Sequence, residues 1–174
     1  VADVARSQAR VVIRGAHFAF AALLLTAARA LAADTDVPPP ESVVLTGAVK
    51  APDSITKEEL SRLPPTDVTL NAETDKGPMT GTFRGVLLWT LIDRAGLVNG
   101  GDKNAYLKHT ILVSGVDGYT VSLSEGEIDP KLEGKKIIVA YMKDGKLFDG
   151  LRLIVPGDAH AARDVRDLLT IEVK

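Results

Sequence analysis

Arg152, His160, Arg163 and Arg166 fall close together near the C-terminus, in the stretch LRLIVPGDAHAARDVRDLLTIEV that fills residues 151–173. A guanidinium presents a rigid fork of N–H donors that fits phosphate, sulfate or carboxylate oxygens, and an imidazole adds another donor. The apolar runs at either end of the stretch have strand composition, and Pro156-Gly157-Asp158 is a turn after the first. Strands thus hold both ends of a polar loop, and Gly157 lets its backbone come close to a ligand. The expected anion-binding set is Arg152, Gly157, His160, Arg163 and Arg166. A plainer expectation competes with it: Arg152, Arg163 and Arg166 pair with Asp158, Asp164 and Asp167 on the surface, at about 0–1 kcal/mol per pair.

Other chemistry is poorly supplied. His109 precedes an apolar strand and reads as a strand-edge or packing residue, and no HExxH-like spacing offers zinc a ligand set. Asp102 and Asn104 begin like a calcium loop, but Ala105 and Tyr106 stand where further acceptors would have to follow. No serine lies in G-x-S-x-G, and there is neither a P-loop nor a strand-GxGxxG-helix. Carboxylate pairs such as Glu125/Glu127 and Asp164/Asp167 have the spacing common on solvated surfaces. No catalytic residue and no metal ligand is assigned.

The sequence contains no cysteine, which removes thiolate metal sites, disulfides and a lipidated-cysteine anchor. With 174 residues, 45% of them hydrophobic, one packed domain can rest on its core alone. Residues 1–32 have the three-part build of a secretory signal: Arg6, Arg10 and Arg14, the apolar run FAFAALLLTAA, then Ala30-Leu31-Ala32 as a cleavage site. That run is shorter than the ~20 residues a spanning helix needs, so no stable membrane span is expected after cleavage. No adjacent arginine pair precedes it, which favours the general secretory route and a periplasmic or secreted protein that arrives unfolded. Residues 33–42 (ADTDVPPPES) read as a flexible leader, and 43–174 as the domain. Without Arg6, Arg10, Arg14, Arg29 and Asp3 the net charge is about −5, a poor match to nucleic acid.

The elements that must position the loop follow from periodicity. Residues 43–49 form a strand, and Thr56 with Glu59 makes a capping box for a helix from 57 to about 63, ended by Pro64-Pro65. Residues 67–72 alternate as a strand, with 73–82 as a loop or wide hairpin. Leu87, Leu88, Leu91, Ile92 and Ala95 recur at helical spacing, which predicts a helix over 85–96 with Gly96 as its stop and Trp89 as a core or edge anchor. Beyond 110 the period becomes two, and Asp117-Gly118 and Asp144-Gly145 mark two hairpins. Residues 124–134 form a turn-rich connection with room for one helical turn. The expected fold class is α+β: a mixed, largely antiparallel sheet with a few helices.

Taken in order, these segments resemble the molybdopterin-binding domain of sulfite-oxidase-like oxidoreductases. Leu45-Thr46-Gly47 with Pro52, Gly85-Val86-Leu87-Leu88 through Ala95-Gly96-Leu97, Asp117-Gly118-Tyr119, the hairpin over 137–145 and the LRLIVPGD run carry the resemblance, which covers nearly all of 43–174. It implies that domain's mixed fold and a molybdenum–pterin cofactor for oxygen-atom or reductive transfer. Two departures stand out. Where the family's metal-binding cysteine would follow the strand at 67–70, this chain has Asn71-Ala72-Glu73, and an amide or a methyl cannot replace a soft thiolate. After the basic loop, where the family tends to have Gly and then Val-Lys-Trp, stand Ala161 and then Val165-Arg166-Asp167. Molybdopterin is therefore implied as a cofactor while molybdenum ligation is not supported. The leading expectation is a non-catalytic periplasmic protein of this fold that binds an anionic ligand or a redox partner protein. The alternatives are a molybdopterin-dependent oxidoreductase with an atypical metal site, and a structural subunit docked through an exposed sheet edge.

Overall fold

A computed structural model describes residues 39–101 and 103–174. The expected signal at 1–32, and the leader apart from 39–42, lie outside the described residues. Among the described residues nine strands divide between two sheets, where the sequence leads one to expect a single sheet. The first has the order β2-β1-β9-β5-β6, from β1 (Ser42–Gly47), β2 (Asp53–Thr56), β5 (Thr110–Gly115), β6 (Thr120–Ser124) and β9 (Leu168–Val173). The second has the order β3-β4-β7-β8, from β3 (Thr66–Ala72), β4 (Met79–Leu87), β7 (Ile138–Lys143) and β8 (Lys146–Ile154). Every pairing is antiparallel except β1 with β9, where Leu45 stands opposite Ile171. The α+β, largely antiparallel class holds.

The split explains the apolar run in β7. Val139 and Tyr141 point into a core shared by both sheets, while Ile138 and Ala140 point into a second core with Val68, Leu70, Ala72, Phe83 and Ile154. A strand covered on both faces loses polar alternation and reads as continuous hydrophobic sequence. In β5 and β6, by contrast, Ile111, Val113, Val121 and Leu123 are buried and alternate with less buried neighbours. Their hairpin closes where the Tyr119 amide donates to Asp117 Oδ1 at 2.9 Å. Asp144 and Gly145, with φ of 47° and 79°, make the primed turn between β7 and β8.

Among the described residues three short α-helices accompany the sheets. The α1 helix (Lys57–Ser61) starts on the expected capping box, with the Glu59 amide donating to Thr56 Oγ1 at 3.1 Å and the Thr56 amide to Glu59 Oε2 at 2.9 Å. The α2 helix (Leu88–Ala95) buries Leu88, Leu91, Ile92 and Ala95 and ends at Gly96, whose φ is 69°. Trp89 packs against the first core at its side. Its predicted start at residue 85 is corrected: Gly85, Val86 and Leu87 belong to β4, opposite Ala140, Val139 and Ile138 of β7. A Cβ on Gly85 would lie 2.2 Å from the Val139 carbonyl oxygen, so glycine serves close strand contact and not a helix. A short apolar run cannot by itself distinguish the two states.

The turn-rich connection after β6 holds α3 (Glu125–Ile128), with a second capping box of Ser124 and Glu127. The expectation of a solvated Glu125/Glu127 pair fails there. Glu125 is 2% exposed and its Oε2 lies 2.6 Å from Nδ1 of the buried His109, which supplies the partner a buried carboxylate requires. No helix among the described residues is long and apolar enough to cross a membrane.

Candidate functional site

The loop after β8 is pinned at both ends. Near its middle, the Glu73 amide donates to Ala159 O at 2.9 Å and the Ala161 amide to Glu73 O at 2.9 Å, so the end of β3 holds residues 159–161. At its far end Val165 and Leu153 exchange backbone bonds of 2.8 and 3.2 Å. The Tyr119 hydroxyl, reaching over from the β5–β6 turn, donates to Ala162 O. Between these supports lies an open cleft of about 370 Å³, a size suited to a small molecule. Its lining includes Asp75, Lys76 and Met79 from the β3–β4 hairpin, Tyr119, Arg152, and His160, Asp164 and Arg166 from the loop. Phe83 and Ile154 of the second core form its floor.

Three of the five expected residues line this cleft. Arg152 is half-buried, its guanidinium carbon 4.1 Å from the centroid of the Phe148 ring, and its Nε is buried without a hydrogen-bond partner. Burial, and then the positive charge of Arg166, push Arg152 below its ordinary pKa. Arg166 is exposed at the wall. His160 sits at the rim, its Nε2 3.6 Å from Oδ1 of an exposed Asp75.

Arg163 and Gly157 are placed otherwise. Arg163 donates from Nε and Nη2 to Asp158, at 2.7 and 2.8 Å, and from Nη1 to Glu127 at 2.8 Å. Lys135 adds a bond of 2.9 Å to Asp158. The Arg163 fork and Lys135 hold the Asp158 carboxyl at about 2 against its burial. Arg163 therefore anchors the loop and is absent from the cleft lining. Gly157 has φ of 89° and a Cβ there would meet nothing within 4 Å, so its role is the turn itself and not close backbone approach.

Asp164, expected on the surface as an arginine's partner, pairs with no arginine among the described residues. Its Oδ1 accepts the Val155 amide at 2.8 Å, and its Oδ2 is buried without a partner. Burial, reinforced by the charge of Asp158 and opposed by the Val155 bond, pushes this carboxyl up to about 6. Asp75, Lys76, Tyr119 and Asp164 are among the cleft residues that the sequence did not mark as site residues. Only Tyr119 left a trace, as part of the Asp117-Gly118-Tyr119 turn.

A molybdenum centre does not fit the donor set. The sequence has no thiol, and of Asn71-Ala72-Glu73, where the resemblance would put the metal-binding cysteine, Ala72 is 3% exposed with its methyl in the second core. Among the described residues no group of three or more histidine, aspartate or glutamate side chains is arranged to hold a metal ion.

No family model matches this chain, and no curated protein does. Among solved structures, the crystal structure of the sulfane dehydrogenase SoxCD from Paracoccus pantotrophus is similar, with a TM-score of 0.62 and 21% identity over 78% of this chain. This chain spans 38% of the length of that one. The likeness establishes the fold: the α+β, sulfite-oxidase-like arrangement that the order of segments implied.

Proposed function

We propose that this protein is an anion-binding module on a molybdopterin-type fold, working outside the cytoplasm without metal chemistry of its own. The observation that carries this reading is Arg152: a half-buried guanidinium with an orphaned Nε, beside the like charge of Arg166, at a cleft of about 370 Å³. Burying an N–H donor without an acceptor is costly, and a bound anion would supply the missing one. Lys76 stands at the same opening and adds positive charge to attract it, and His160 offers a ring nitrogen beside it. The extracytoplasmic location rests on the signal-like build of residues 1–32.

Thermal shift of the full chain with sulfate, phosphate and a pterin tests the reading. Saturating ligand at a hundred times its Kd raises stability by about 2.7 kcal/mol. The wild type is expected to respond to at least one of the three, and a variant with both Arg152→Met and Arg166→Met to none. A response that survives in the double variant puts the site elsewhere. Stoichiometric molybdenum in protein purified from its native host would overturn the reading in favour of an oxidoreductase.

A further inference from the structure

The cleft contains a half-buried acid where an anion is expected, and that conflict has a chemical resolution. Asp164 uses one oxygen on the Val155 amide, while the other is buried with no donor. The charged and titratable groups that share the cleft with it are Arg152 on β8, Asp75 and Lys76 from the β3–β4 hairpin, Tyr119 from the β5–β6 turn, and His160 and Arg166 on its own loop. The negative charge of Asp158, itself tied to Arg163 and Lys135, also acts on it. An ionised Asp164 repels an incoming anion, and at partly buried sites such repulsion is poorly screened. A neutral carboxylic acid does not repel it, and its O–H gives the orphaned oxygen a proton to donate.

We propose that Asp164 makes anion binding in this cleft proton-linked: the anion binds together with one proton, taken from solvent onto the Asp164 carboxyl group. The proposal rests on the anion-binding reading of the cleft and adds its regulation. No bond other than O–H forms or breaks. In the free protein burial already brings Asp164 up to about 6, so the linked protonation falls in a range that extracytoplasmic fluids reach. The sign is fixed by linkage: affinity rises as pH falls, and binding takes up protons most fully above the free-state midpoint.

Sulfate is the probe, because it carries no proton that titrates near neutrality. Calorimetric titration of the full chain at about pH 5 and about pH 7.5, in two buffers of different ionisation enthalpy, reads affinity and proton uptake together. If only the protonated form binds, affinity falls roughly thirtyfold between the two conditions, and the measured heat depends on the buffer at the higher pH. Asp164→Asn is expected to bind at both pH values about as tightly as the wild type does at the lower one. Histidine changes charge in the same range, so His160→Gln is measured alongside and is expected to keep the wild-type dependence. Equal wild-type affinity at both pH values overturns the linkage while leaving the anion site standing, and so does an Asp164→Asn variant with undiminished pH dependence. Failure of sulfate to bind the wild type at either pH overturns this proposal, and the site itself falls only if phosphate and the pterin also fail to bind.

Discussion

Arg163 grips Asp158 with two parallel bonds, Nε to Oδ2 at 2.7 Å and Nη2 to Oδ1 at 2.8 Å, and extends its third nitrogen to Glu127 of α3. The basic loop, α3 and, through Lys135, the segment before β7 are thereby joined in one ionic cluster. The side chains of Asp158 and Glu127 are only 18% and 24% exposed, so the cluster is worth more than a surface pair.

Arg163→Ala is expected to destabilise the fold by about 1–3 kcal/mol, because it strands two shielded carboxylates. Arg163→Lys should recover only part, since an ammonium cannot match the fork. The same cluster sets an acid limb. Asp158 titrates at about 2 in the folded protein, below the unfolded value of about 4, so its stabilisation is present above pH 4 and lost as pH falls through 2. Denaturant melts of the wild type and Asp158→Asn, compared at several pH values, should show a difference of about 2 kcal/mol near neutrality that fades over this window. A difference of constant size would argue against it.

Asp164 has the opposite sign. Its folded value of about 6 lies above the unfolded one, so the native state loses stability as pH rises from about 4 through 6. Asp164→Asn is therefore expected to match the wild type near pH 4 and to exceed it by about 1–3 kcal/mol at pH 7.5. Chemical denaturation at both values checks this, and a variant less stable than wild type at the higher pH would refute it.

Arg152→Met should leave the ligand-free protein no less stable, within about 1 kcal/mol, because a half-buried guanidinium whose Nε has no acceptor is exchanged for an apolar chain that still packs on Phe148. Its response to anions should vanish. Stability kept while ligand response is lost separates a binding residue from a structural one. A loss above about 2 kcal/mol would show that Arg152 supports the fold.

Gly85→Ala is expected to cost about 2 kcal/mol or more, since the new methyl meets the β7 backbone at Val139 and Ala140. Wild-type stability in this variant would refute the close approach of β4 and β7.

The legible parts of the sequence were those governed by local rules. Thr56 with Glu59 announced α1, Asp117-Gly118 and Asp144-Gly145 announced hairpins, and the alternation of Ile111, Val113, Val121 and Leu123 announced strands. Residues 85–87 were misread because their apolar spacing suits a helix as well as a strand covered on both faces. Of the cleft, Arg152, His160 and Arg166 were legible as charge near a turn. Asp164 was not, because nothing beside it in sequence marks it as buried.

By itself, then, the sequence determined the α+β class, the turns and caps, the absence of a thiol and a cluster of cations near one turn, all of which follow from residue type and near-neighbour spacing. Tertiary structure alone decided which cations are spent and which are left over. Arg163 is neutralised by Asp158 in its own loop together with Glu127, 36 residues earlier in the chain, and the Arg152 Nε is left without a hydrogen-bond acceptor. Ion pairing acts over a few ångströms of space, and no pattern along the chain encodes which distant segment the fold will bring that close.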